Sequence, residues 1–200
     1  MNYLAHTYLS GDNDNIKVGN FLGDWVKGSD YMLYAEDVRT GIMMHRNIDD
    51  FSDRHSIVLL SASRLKSRYA RYSGVVIDIL YDHFLASNWK DFCTVPLREY
   101  VNRLHNLMLN NFGILPMRLQ NFLPGFMNER WIERYATLDG IREVLDTMSK
   151  RTSLPNETEF AISVIEAHYS VFQHEFFDFF GQIIEFVENK FMISILRPTM

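Results

Sequence analysis

The sequence has a single cysteine, Cys93, so no internal disulfide can form and no thiolate cluster can hold a metal. A reducing, cytoplasmic setting is the expectation. No apolar run is long enough to span a bilayer. The opening residues, Met1-Asn2-Tyr3-Leu4-Ala5-His6, lack the basic start and long apolar core of a signal peptide, so no membrane role is expected. Alternating strand patterns are missing, and no Asn-Gly or Asp-Gly pair is flanked by them, which argues against β structure. An excess of positive charge is lacking too. The formal net charge is −5, which argues against a general affinity for nucleic acid. Acidic residues are absent between Arg54 and Ile77, where Arg54, Arg64, Lys66, Arg68 and Arg71 all fall. That basic stretch is a solvated helix face or a dock for an acidic partner.

The composition that remains is ordinary for a globular protein, 47% hydrophobic and 22% charged over 200 residues. A chain of this size buries enough core to fold without a disulfide or structural metal. The expectation is an all-α fold, one compact multi-helix domain over residues 1–200. Apolar residues at steps of three and four place helices over Asn15–Lys27, Ala35–Asp53, Ser56–Tyr72, Val75–Phe92, Pro96–Asn111, Asn128–Tyr135 and Gly140–Lys150. Ser73-Gly74 reads as a break, and the region from Gly113 to Pro124 as irregular or short-helical. The longest helix starts at Pro155-Asn156. Its stripe of Ile165, Tyr169, Phe172, Phe176, Phe179, Ile183 and Val187 is core packing.

The acids and histidines fall in strongly apolar segments. Asp24 lies in Phe21-Leu22-Gly23-Asp24-Trp25-Val26, and His45 and Asp49 in Ile42-Met43-Met44-His45-Arg46-Asn47-Ile48-Asp49. Asp82 and His83 lie in Ile79-Leu80-Tyr81-Asp82-His83-Phe84-Leu85. A carboxylate beside a core-facing surface is costly unless paired or bound to a cation. Three such segments suggest one shared metal ion, although Arg46 and Arg39 are nearby alternatives. His45 and Asp49 are four apart and share a helix face; Asp53 continues that row, and Asp78 and Asp82 repeat the spacing. An imidazole and carboxylate set without thiolate suits Mn, Fe, Mg or Zn. His6 either packs in the core or reaches the same site. His55, His105, His168 and His174 are structural or exposed.

Several strings resemble the acyl carrier protein phosphodiesterase family. They are Asn2-Tyr3-Leu4-Ala5-His6, Gly19-Asn20-Phe21-Leu22-Gly23-Asp24, Gly41-Ile42, His45-Arg46, Ile48-Asp49 and Asp53. Tyr81-Asp82-His83-Phe84-Leu85 with Trp89, Trp131 with Arg134-Tyr135, and Ala167-His168-Tyr169 extend the resemblance towards the C-terminus. That family is similar to the helical HD-type phosphohydrolases, whose adjacent His-Asp doublet is here reversed as Asp82-His83. The resemblance implies a divalent metal, Mn or Mg, and release of 4′-phosphopantetheine from holo-acyl carrier protein. The expected metal ligands are Asp24, His45 and Asp82, with Asp49, His83 and His6 as further candidates. Arg46 is expected to neutralise phosphate, and His83 or His6 to protonate the serine leaving group. Arg64, Lys66, Arg68 and Arg71 become docking residues for an acidic carrier protein. Two other readings stay open: a metal phosphohydrolase acting on a nucleotide or small phosphoester, and a non-catalytic helical protein that binds an acidic partner.

Overall fold

The structure, a computed structural model, describes residues 1–198. Twelve α-helices and several 3-10 turns make up its regular structure, with no strand among the described residues. The helices are α1 (Tyr3–Tyr8), α2 (Asp14–Leu22), α3 (Glu36–Arg54), α4 (Ser56–Ser63), α5 (Lys66–Tyr69) and α6 (Ser73–Ser87). Then follow α7 (Leu97–Asn110), α8 (Met117–Asn128), α9 (Trp131–Arg134), α10 (Leu138–Arg151), α11 (Thr158–Ala167) and α12 (Tyr169–Phe191). Their buried side chains join into one hydrophobic core. No helix among the described residues is long and apolar enough to cross a membrane.

α6 runs through the centre of that core. Val76, Ile77, Ile79, Leu80, Tyr81, Asp82, Phe84 and Leu85 are all fully buried, the pattern of a helix covered on every side. α12 lies against it through Phe176 and Phe179, and Phe172 and Ile183 are buried with them, so the aromatic stripe is core. α2 and α3 cross at Gly19 and Gly41. A Cβ on Gly19 would stand 2.0 Å from the Val38 carbonyl oxygen, and one on Gly41 2.1 Å from that of Ile16. Only glycine permits this approach, and it sets the spacing between the two helices.

Several boundaries differ from the periodicity, each for a local reason. α2 stops at Leu22 and tightens into a 3-10 turn, Gly23–Trp25, so Asp24 lies just past the helix. The basic segment is not one helix. It breaks where Arg64 turns inward to pair with Glu175, and again at Ala70, whose φ is +47°. α6 starts at Ser73 rather than after Gly74, and the Ser73 hydroxyl donates to the Ala70 carbonyl at 2.7 Å. Residues 117–128 are helical, with Pro124 inside the helix. The last long helix is two, parted at His168; the apolar stripe runs on across the break and so conceals it.

Asp82 has a structural partner that periodicity could not reveal. Its Oδ2 accepts the Leu4 amide at 2.8 Å, and its Oδ1 those of Ala5 at 3.2 Å and Asn2 at 3.3 Å. These amides open α1, where main-chain donors have no intrahelical acceptor. Burial pushes the Asp82 carboxyl up to about 7, although the amides of Leu4 and Ala5 pull the other way. Asp82→Ala strands three amides at the helix start, at about 1–3 kcal/mol each if they stay dry. Thermal denaturation of this variant should show a loss on the order of 3 kcal/mol or more; an unchanged melting temperature would deny Asp82 this role.

Candidate metal centre

Three short pieces of chain meet at one point. α1 carries His6 in its last turn, and α3 presents His45 and Asp49 one turn apart. The turn after α2 brings Asp24 alongside. His45 lies directly against that turn, since a Cβ on Gly23 would stand 2.0 Å from its ring. The His6 and His45 rings stack with centroids 4.0 Å apart and planes 20° apart. Asp49 Oδ1 is 3.1 Å from His6 Nε2, and its Oδ2 is 3.1 Å from His45 Nε2. Asp24 Oδ1 is 3.3 Å from the same His45 nitrogen.

Each ring is committed at Nδ1. His6 Nδ1 donates to Asn20 Oδ1 at 2.8 Å, and His45 Nδ1 donates to the Asn20 main-chain oxygen at 2.8 Å. In the neutral forms both Nε2 atoms therefore carry lone pairs, directed at a carboxylate that also offers only lone pairs. Acceptors facing one another at 3.1 Å repel unless a positive charge lies between them. His45 Nε2 is buried and makes no well-directed hydrogen bond, an orphan of the kind that marks an unmet ligand. One ligand atom each from His6, His45 and Asp49 falls within 4.8 Å of the others. Two imidazoles and a carboxylate on one side of an ion leave further positions for water and substrate. The residues present fit a divalent cation.

The electrostatics agree. Burial disfavours charge on His45, but the Asp24 and Asp49 carboxylates outweigh it and lift the pKa to about 9. Burial and the charge on His45 hold His6 below the usual histidine range. Burial would raise Asp49, yet the two imidazoles hold it well below the usual carboxylate range. His45 likewise outweighs burial at Asp24 and lowers its pKa. Without metal, a proton on His45 is the positive charge that the cluster requires.

The sequence-derived candidates separate into two groups. His6, His45 and Asp49 come together, with Asp24 beside His45 on a side chain 64% exposed. Asp82 and His83 are engaged elsewhere. Both Asp82 oxygens are taken by main-chain amides. His83 Nδ1 donates to the Tyr135 carbonyl at 2.7 Å, and Nε2 accepts the Tyr169 hydroxyl at 2.9 Å. Asp78 faces the Met1 amino group at 2.7 Å. Arg46 donates to the Val26 carbonyl at 3.0 Å and lies over the Tyr31 ring, tying the segment after Asp24 to α3. Arg64 makes two hydrogen bonds to Glu175, at 2.8 and 2.7 Å, and is thus an internal ion pair. Lys66, Arg68 and Arg71 remain exposed, with Arg68 3.8 Å from Glu157 at the surface. Asn20 and Gly23 drew no attention as individual residues. Their one signal was a place in the Gly19–Asp24 string, because a helical asparagine does not announce what it faces.

Because ligand nitrogens must be deprotonated, metal binding should displace the His45 proton. Below about pH 9 that proton is held, so apparent metal affinity should fall about tenfold per unit as pH drops through neutrality. Calorimetry with Mn in buffers of differing ionisation enthalpy should register about one proton released near pH 7.5. Binding with no proton released would remove His45 from the ligand set.

The family model described as acyl carrier protein phosphodiesterase matches residues 1–183. A protein of that name from Yersinia pestis is 32% identical over 193 residues, covering 95% of this chain and 99% of its own. One from Photorhabdus laumondii subsp. laumondii is 31% identical over 191 residues, covering 95% and 96%. One from Pectobacterium atrosepticum is 30% identical over 191 residues, covering 95% and 99%. No solved structure matches the chain. A family match over residues 1–183, with relatives about 30% identical along nearly their whole length, shows that this chain belongs to the acyl carrier protein phosphodiesterase family.

Proposed function

We propose that the chain, as one functional unit over residues 1–200, hydrolyses the phosphodiester that joins 4′-phosphopantetheine to a serine of holo-acyl carrier protein. Water adds at phosphorus, the bond from phosphorus to the serine oxygen breaks, and that oxygen takes a proton. The products are apo-acyl carrier protein and 4′-phosphopantetheine. Family membership supports the substrate. The observation that carries the chemistry is the apposition of His6 Nε2, His45 Nε2 and both Asp49 oxygens, with His45 Nε2 left without a hydrogen bond.

His6, His45 and Asp49 would hold a divalent cation, Mn or Mg, with Asp24 as a second carboxylate. Bound there, such an ion supplies Lewis-acid polarisation of a phosphoryl oxygen and acidifies a water molecule. Asp49 sets one carboxylate oxygen against each imidazole nitrogen. Arg46 steadies the turn that carries Asp24 through the Val26 carbonyl, and its remaining guanidinium donors suit phosphate oxygens. His83, neutral because burial lowers its pKa, holds Tyr169 and the Tyr135 carbonyl and so braces α6 against α9 and α12.

The docking surface is narrower than the basic stretch. Arg64 serves the core, which leaves Lys66, Arg68 and Arg71 for the acidic carrier. Complementary charge raises encounter rates and is screened by salt.

Incubation of holo-acyl carrier protein with this protein and Mn should remove the phosphopantetheine mass, with no change when metal is chelated. His45→Ala or Asp49→Ala should lower the rate more than about a hundredfold. An unchanged carrier mass with metal bound would transfer the activity to a small phosphoester. Charge reversal in Lys66→Glu with Arg68→Glu should cut kcat/KM about tenfold at low salt, and the deficit should fade as salt rises. A deficit that persists unaltered in high salt would exclude an electrostatic dock there.

A further inference from the structure

We propose that Asn20 is the positioning residue that presents both imidazoles of the centre as metal ligands, His6 through its side chain and His45 through its main-chain carbonyl. The inference rests on the metal-dependent reading above.

Asn20 is fully buried, and its amide group is oriented without ambiguity. Its Nδ2 donates to the His6 carbonyl at 2.8 Å and to Ser10 Oγ at 3.0 Å. The Ser10 hydroxyl spends its own hydrogen on the His6 carbonyl at 2.8 Å, so Oγ is free to accept. Both amide hydrogens are therefore used on acceptors, and the atom left facing His6 Nδ1 at 2.8 Å is the oxygen. An amide oxygen accepts and never donates, so Nδ1 carries the hydrogen and Nε2 the lone pair.

The second contact follows from where α2 ends. The helix stops at Leu22, and the Asn20 carbonyl accepts the Gly23 amide in the tightened turn. As one of the last carbonyls of a helix it has no regular partner. Its remaining lone pair takes the His45 Nδ1 hydrogen at 2.8 Å. One residue thus turns the Nδ1 hydrogens of both rings away from Asp49. Loss of the side chain should release His6 and leave His45 in place, an asymmetry that a general packing defect would not produce.

The test uses full-length Asn20→Ala and Asn20→Asp, read by nitrogen NMR of the histidines without metal and by calorimetry with Mn. In Asn20→Ala, His6 should leave the Nδ1–H tautomer, His45 should keep its Nδ1–H signal, and Mn affinity should fall about 10–100-fold. Asn20→Asp keeps an acceptor oxygen for His6 Nδ1 but loses the two donated hydrogens, so it should retain the His6 Nδ1–H signal whatever its effect on affinity. The proposal is overturned if Asn20→Ala leaves both tautomer and affinity unchanged. It is equally overturned if folded Asn20→Asp loses the His6 Nδ1–H signal as alanine does. Should the alanine variant fail to fold, the aspartate variant decides by that tautomer reading. The His6 tautomer is read without metal or substrate, so inactivity towards acyl carrier protein would end the proposed function and leave this test standing.

Discussion

Two imidazole lone pairs and one carboxylate are held against each other, and most of the surrounding structure maintains that conflict. Like acceptors repel at 3.1 Å, the distance from Asp49 to both histidines. Such a cluster is stable only with a cation in it, either a proton or a metal ion. The fold therefore has to supply rigidity that the site does not provide for itself.

That rigidity comes from three local devices. The glycine crossing of α2 and α3 fixes the distance between Asn20 and His45 by leaving no room for a Cβ. Gly23 lets the turn after α2 lie flat on the His45 ring. Asp82 holds the start of α1, a helix of six residues that would be marginal alone and that carries His6. A carboxylate in the middle of the core thus acts on the candidate centre from a distance, through main-chain amides.

These devices explain what the sequence disclosed and what it concealed. His45 and Asp49 were readable because four-residue spacing places them on one helix face. The helical class was readable from periodicity. Asp82 was harder, since a buried carboxylate is satisfied equally by a cation or by amides, and spacing along α6 records neither. The amides come from residues 2, 4 and 5, some eighty positions away in sequence. Arg64 misled for the same reason: its partner Glu175 lies 111 residues on. The family motif held His6 and Asn20 in plain view, but a motif reports which residues recur and not which of their atoms point inward.

Charge balance gives a reason for a divalent ion rather than a permanent proton. With His45 protonated and His6 neutral, the cluster has one positive charge facing the two carboxylates Asp24 and Asp49, and is left negative. A phosphodiester anion approaching it is repelled. A divalent ion in place of that proton, with both imidazoles neutral, would remove the excess negative charge and would attract phosphate oxygens. The raised pKa of His45 and the lowered pKa of Asp49 describe the same demand for positive charge. In a chain of net charge −5, attraction of an anionic centre has to be generated locally. Under the proposed function a bound cation would supply it at the scissile group, and the exposed basic residues of α5 would supply it where an acidic carrier first touched.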